Sequence, residues 1–168
     1  TVDDIAEAVG VGRRTLFRYF ESKNDIPWGQ FDESLVEFAR ILRSFPSEMP
    51  IAEVIHRSVV VFNTFPDEAI SQHRARMKLI LGTPALEAHS TIKYALWRRT
   101  VAAFVAERTG RSSDDLGPRT VGHVSLAISL SAYEQWLQNP GLDLKTLLGS
   151  SMRELRLHWG GTSLRHAP

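Results

Sequence analysis

Apolar residues along this chain recur three and four positions apart almost from end to end, and nowhere do they alternate with polar ones over a strand's length. An α-helix gathers that period onto one face, whereas a half-buried strand needs a period of two. Even the β-branched run Ser58-Val59-Val60-Val61-Phe62 lies inside a helical stripe of Ile51, Val54, Ile55, Ser58, Val59, Phe62 and Phe65. The pattern predicts an all-α fold with helices over 1–9, 13–20, 24–44, 51–64, 67–81, 84–109, 118–138 and 143–159. The interruptions have their own chemistry. Gly10-Val11-Gly12 reads as a tight turn, and Pro46 to Pro50 separates two helices, since proline cannot continue one. Thr83-Pro84 reads as an N-cap and first helical residue, Gly110 as a C-cap, and Asn139-Pro140-Gly141 as a stop. Beyond Trp159, residues 160–168 open on Gly160-Gly161 and read as a flexible tail.

Composition narrows the class of activity. With 168 residues, 43% of them hydrophobic, there is material for a full core. There is no cysteine, which excludes a disulfide scaffold, a thiolate metal site and a cysteine nucleophile. The six histidines (56, 73, 89, 123, 158, 166) never fall four apart, and no Gly-rich phosphate loop or Gly-x-Ser-x-Gly elbow occurs. No catalytic residue, metal site or cofactor is therefore expected. No apolar stretch reaches the ~18–20 residues needed to span a bilayer, so no membrane partner is expected and the location should be cytoplasmic. Formal net charge is only +1, so any nucleic-acid site must concentrate its positive charge locally.

Residues 1–26 do so. Thr1 can cap a short helix with an apolar face of Val2, Ile5, Ala6 and Val9. After the glycine turn, a second helix begins at Arg13 and needs only Leu16 and Phe20 to face the first. Its opposite face then holds Arg14, Thr15, Phe17 and Arg18, with Arg13 at the entering end. From Arg13 to Lys23 there are four basic residues against one acid, Glu21. Two short helices joined by a glycine-containing turn make a helix-turn-helix, whose second helix enters the major groove. An ordinary helical hairpin would explain Ile5, Leu16 and Phe20, but not a Phe17-Arg18-Tyr19-Phe20 run with two aromatics outward.

The string from Thr1 to Lys23 resembles the signature of the tetracycline-repressor (TetR) family at Thr1, Ile5-Ala6, Gly10-Val11, Thr15-Leu16, the aromatic at 17, Tyr19-Phe20 and Ser22-Lys23. The resemblance implies a DNA-binding head over 1–26, with Arg13, Arg14 and Thr15 near base edges and Thr1, Tyr19 and Lys23 on phosphates. Phe17 and Arg18 belong to the same face. Arg14 suits a bidentate contact to guanine, Thr15 a thymine methyl, and Lys23 opens the next helix, where phosphate is favoured. Two positions depart from the family pattern. Phe17 lacks a tyrosine's hydroxyl, and Gly12 stands where a serine N-cap is common. The family's first helix precedes the Thr1 equivalent, so residues before Thr1 are expected, in a longer chain or a disordered N-terminus.

The same resemblance makes 27–159 an effector-binding and dimerisation domain. The helix from Asn24, with its stripe of Trp28, Phe31, Leu35, Phe38, Leu42 and Phe45 and with Pro27 in its first turn, would connect head to body and act as the switch. The 84–109 helix has Tyr94, Trp97, Val101, Phe104 and Val105 on one side and Ile92, Leu96, Ala103 and Ala106 on another, which predicts central burial. Phe62, Phe65, Met77, Tyr94 and Trp97 are the expected walls of an apolar effector cavity. Arg98, Arg99, His56, Arg57, His73, Arg74 and Arg76 are candidate polar anchors. The last two helices are expected to pair in a homodimer through Gly122, Ser125, Ser129, Leu148, Met152 and Leu155. Asp114-Asp115-Leu116-Gly117-Pro118-Arg119 resembles the actinobacterial type of the family. More loosely, the body is similar to regulators encoded beside mycofactocin biosynthesis genes, which would imply a lipidic or acyl-thioester effector. The function implied is a repressor that binds a pseudo-palindromic operator as a dimer and is released by a small apolar effector. The alternatives are a helical interaction protein that binds no DNA, or an activator on the same fold.

Overall fold

A computed structural model describes residues 1–159, and within them the chain forms eight α-helices and one 3-10 turn, with no strand. In order these are α1 (Val2–Ala8), α2 (Arg13–Tyr19), the turn (Ile26–Trp28), α3 (Phe31–Arg43), α4 (Ile51–Phe62), α5 (Asp67–Gly82), α6 (Pro84–Thr109), α7 (Leu116–Gln138) and α8 (Leu144–Trp159). The expected tail at 160–168 and the side chain of Trp159 lie outside the described residues.

The ends follow local chemistry. Thr1 and Asp4 close a capping box on α1, with the Asp4 amide donating to Thr1 Oγ1 at 3.2 Å. Gly12 precedes α2 with no side-chain cap. Pro84 takes the first turn of α6, and Gly110 ends that helix in the left-handed region at φ 66°.

Helix α6 runs through the middle of the body, touching α3, α4, α5 and α7, while α8 closes the bundle against α7 and α4. Phe38, Leu42, Val54, Ile55, Val101 and Trp136 are fully buried where these helices meet. The α6–α7 crossing is close. A Cβ on Gly122 would lie 2.6 Å from the Arg98 carbonyl oxygen, so the crossing distance depends on the absence of a side chain there.

Two expectations are corrected. The continuous helix over 24–44 is broken: the 3-10 turn ends at Gly29, whose φ of 53° and ψ of −128° turn the chain before α3 starts at Phe31. Phe45 lies beyond the end of α3 and packs partly against the core. Of the second face of α6, Ala106 is buried, but Ile92 is 58% exposed and Ala103 is also exposed. In the head, α1 buries only Ala6, and Ile5 and Val9 stay exposed, because α2 is too short to cover more than one turn of it.

Candidate nucleic-acid interface and effector cavity

In the head, α1 and α2 are joined through Gly10, at φ 69°, and Leu16 is buried between them. The outward face of α2 presents Arg14, Phe17, Arg18 and Tyr19, all exposed, with Thr15 half-buried beside them. Phe17 is 41% and Tyr19 70% exposed, as a surface meeting a ligand requires and a core does not. The cations differ in their commitments. Arg13 pairs with Asp3 at 3.2 Å and lies over the Phe17 ring at 5.6 Å. Arg18 donates to the Tyr19 hydroxyl at 3.3 Å and lies over its ring. Arg14 and Lys23 are exposed and form no ion pair among the described residues. The turn swings Asp3 of the first helix against Arg13, so one acid of α1 meets the basic stretch.

A short connector leads from the head into the body. The Ser22 amide and hydroxyl both donate to Asp25 Oδ2, at 3.1 and 2.8 Å, and the Asn24 amide donates to Ser22 Oγ. The other oxygen of Asp25 meets α6: His89 Nε2 lies at 2.8 Å and Lys93 Nζ at 3.5 Å. Partial burial opposes ionisation of Asp25, but hydrogen bonds from His89 and Ser22, with the charges of His89 and Lys93, hold its carboxyl below the usual range. Three residues further on, Trp28 is buried, with its ring edge-on to Phe31 at 5.0 Å and to Tyr94 at 5.6 Å.

Trp28 is also a wall of a cavity of about 200 Å³ between the connector, α3, α4, α5, α6 and α7. Phe62, Phe65, Met77, Tyr94 and Trp97, the five residues nominated from sequence, all line it. Sequence reasoning missed the wall from α7, Leu126, Ser129, Leu130 and Tyr133, and also Asn63.

The polar side of the cavity is a directed chain. Arginine can only donate, so Arg76 Nη2 at 2.8 Å makes His73 Nδ1 an acceptor and leaves the ring hydrogen on Nε2. That hydrogen is donated to the Tyr133 hydroxyl at 2.8 Å, which donates in turn to Asn63 Oδ1 at 2.6 Å, while Asn63 Nδ2 is held by the Val59 carbonyl. Burial and the neighbouring Arg76 charge lower the His73 pKa to about 4, so the ring stays neutral and the chain keeps one direction. Of the seven candidate anchors, only His73 and Arg76 reach the cavity. Arg74 instead holds the end of α7, donating to the carbonyls of Trp136, Pro140 and Leu142 with its guanidinium 4.0 Å over the Trp136 ring. His56 lies in the α4–α8 crevice, Arg57 pairs with Glu53, and Arg98 and Arg99 line a separate surface groove.

Most of the nominated dimer residues are inside the protomer. Gly122, Ser125, Ser129 and Leu148 are buried by the chain's own helices. Ser129 lines the cavity behind Trp28, and Met152 lines a crevice with Ile55 and Val59 of α4. Only Leu155 lies in the outward α7–α8 groove, with Val124, Ala127, Ile128, Ser131 and Leu147.

A helix-turn-helix with a basic, aromatic outer face, tied to a helical body around an apolar cavity, defines a DNA-binding regulator of the one-component kind. Residues 1–26 match the family described as bacterial regulatory proteins, tetR family, and residues 49–159 match the MftR C-terminal domain. The chain belongs to the TetR family of transcriptional regulators. It is 43% identical over 151 residues to a Mycobacterium tuberculosis protein provisionally named as the mycofactocin biosynthesis transcriptional regulator MftR, covering 90% of this chain and 76% of that one. It is 30% identical over 157 residues to the HTH-type transcriptional regulator TcmR of Streptomyces glaucescens, covering 88% and 68% of the two chains. No helix among the described residues is long and apolar enough to cross a membrane.

Proposed function

We propose that this regulator represses transcription as a homodimer on a pseudo-palindromic operator and is released by a compact, mainly apolar effector in the cavity behind Trp28. The observation that carries the reading is positional. Trp28 is a cavity wall, and Asp25, three residues before it, is what ties the connector to α6. A ligand that displaces Trp28 therefore moves the segment on which the head is mounted. Base readout falls to Arg13, Arg14 and Thr15, apolar contact to Phe17, and phosphate contact to Thr1, Arg18, Tyr19 and Lys23. In a two-fold dimer the paired α2 helices enter successive major grooves about 34–36 Å apart. The pairing face is the outward α7–α8 groove around Ala127, Ile128 and Leu155.

Cavity size favours a compact effector. About 200 Å³ lies below the roughly 300–1,000 Å³ of pockets that take drug-sized ligands. A long acyl-thioester, the effector implied by likeness to mycofactocin-associated regulators, requires more room than this cavity offers. The deciding experiment is binding of the full-length protein to fluorescent DNA from upstream of its own gene, with and without a metabolite extract. Salt-dependent, sequence-selective binding that the extract relieves is the expected result. Binding with no preference for that DNA over random sequence rejects the reading.

A further inference from the structure

The polar groups of the cavity wall divide sharply into two sets. Arg76, His73, Tyr133 and Asn63 satisfy one another, Ser34 Oγ donates to the Gln30 carbonyl, and Ser129 Oγ to the Ser125 carbonyl. Trp28 Nε1 and the Tyr94 hydroxyl, by contrast, are buried and have no hydrogen-bond partner. Ser90 stands beside Tyr94 and eases its titration slightly, and it donates its own hydrogen to the Leu86 carbonyl at 2.9 Å, but its oxygen forms no hydrogen bond with the Tyr94 hydroxyl. Burial pushes the Tyr94 pKa up to about 12, so this hydroxyl keeps its hydrogen.

Unpartnered buried donors are few in native proteins and destabilise them, so each calls for an explanation. Here two come from different elements, the connector and α6, with their rings in edge contact and both residues lining one cavity. An indole N–H can only donate and a neutral phenol donates readily, so what satisfies both is an acceptor. We propose that the effector carries an acceptor oxygen, a carbonyl on an otherwise apolar body, received between Trp28 and Tyr94 when the two rings part. This rests on the cavity being the effector site, and adds the chemical class and the end at which recognition occurs. The acceptor would sit against the residue whose movement the switch needs, so a hydrocarbon of the same shape would fill the cavity without engaging Trp28.

The test uses acetophenone and α-methylstyrene, which differ only in a carbonyl oxygen against a methylene group. Dissociation constants are measured by NMR titration of the full chain and of its Tyr94→Phe and Trp28→Phe variants. Comparing each probe with itself across variants cancels its own solvation. Tyr94→Phe is expected to weaken the ketone about 3- to 10-fold, the range of one hydrogen bond, and to move the alkene less than about 2-fold. Trp28→Phe, which also opens space, is expected to lower the ketone-to-alkene preference in the same direction. Thermal unfolding without ligand is an independent reading: losing an unpartnered hydroxyl leaves the Tyr94→Phe melting temperature unchanged or raised. Equal changes for both probes, or a clear fall in melting temperature, overturn the proposal while leaving the cavity as a binding site. If neither probe binds the unaltered protein up to its solubility limit, the cavity reading fails and this inference with it.

Discussion

His89 Nε2 lies 2.8 Å from Asp25 Oδ1, and this contact joins the α6 helix to the connector that carries the DNA-reading head. The same aspartate receives Ser22 from the head side and Lys93 from the body side, so both segments hold one carboxylate. All three partners are donors. Asp25 must therefore be ionised to keep them, and against partial burial the hydrogen bonds of His89 and Ser22, with the charges of His89 and Lys93, lower its pKa. His89→Ala or Asp25→Asn is expected to uncouple head from cavity: effector affinity stays within about 2-fold, while relief of DNA binding by effector shrinks. Regulators of this kind operate on roughly 1–3 kcal/mol of coupling, a 5–150-fold change in affinity, so the loss should be at least about 5-fold. Anisotropy titrations of operator DNA with and without effector measure it. Unchanged relief in both variants would show that the signal travels through another contact.

The two kinds of cation on α2 and its flank predict different behaviour toward DNA. Arg14→Ala removes an uncommitted arginine from the outward face and should lose ~1–3 kcal/mol on the specific site, with relaxed base preference. Lys23→Ala should weaken all sequences alike and reduce the salt slope by about one. Asp3→Asn tests the pair that ties Arg13 down at 3.2 Å. Releasing that arginine should strengthen DNA binding at low salt, by less than about 1 kcal/mol since the pair is exposed. Weaker binding by Asp3→Asn would mean that the pair orients Arg13 for contact instead of withholding it.

What the sequence made legible was local or periodic. The head was readable because Thr1, Gly10-Val11 and the Arg13–Phe20 run specify caps, turn and outward face within a few residues of one another. Period puts Phe62, Met77, Tyr94 and Trp97 on inward faces, and the family resemblance gathers them with Phe65 around one cavity. Asp25–His89 was not, since its partners are 64 positions apart and neither element hints at the other. Nor was the Tyr133–Asn63 bond, which spans 70 positions. The break at Gly29 was missed because Trp28 and Phe31 continue the apolar spacing straight through it.

Stability should depend on pH through His73. Its folded pKa of about 4 lies below the ordinary ~6.5, so the unfolded chain binds the proton more readily. Stability from this group is complete above about pH 6.5 and declines as pH falls toward 4, by on the order of 3 kcal/mol in all. His56, also lowered by burial, adds a loss of the same sign. His73→Gln, which keeps a donor toward Tyr133 but cannot titrate, should flatten the acid limb of melting temperature against pH. An acid limb identical to that of the unaltered protein would place the effect in His56 or the carboxylates.

The small residues of α7 decide between two readings of that helix. Gly122, Ser125 and Ser129 suit close approach, but periodicity cannot say whether the approach is to α6 or to a second copy. The structure turns them inward, with Gly122 against the Arg98 carbonyl. Gly122→Ala should then destabilise the protomer by ~1–3 kcal/mol, since both atoms in the 2.6 Å clash belong to backbone or a fixed Cβ and the helices must part. Leu148, 2% exposed, behaves likewise: Leu148→Glu should unfold the body, not merely split a dimer. The outward groove is the place to test assembly. Ala127→Glu with Leu155→Glu puts four like charges into a two-fold interface while disturbing little of the protomer's own core, because Ala127 is exposed and Leu155 only half-buried. Sedimentation should show folded monomers with helical circular dichroism retained, and DNA binding weakened because two heads no longer act together. If the double variant sediments as a dimer, the pairing face lies elsewhere on the bundle.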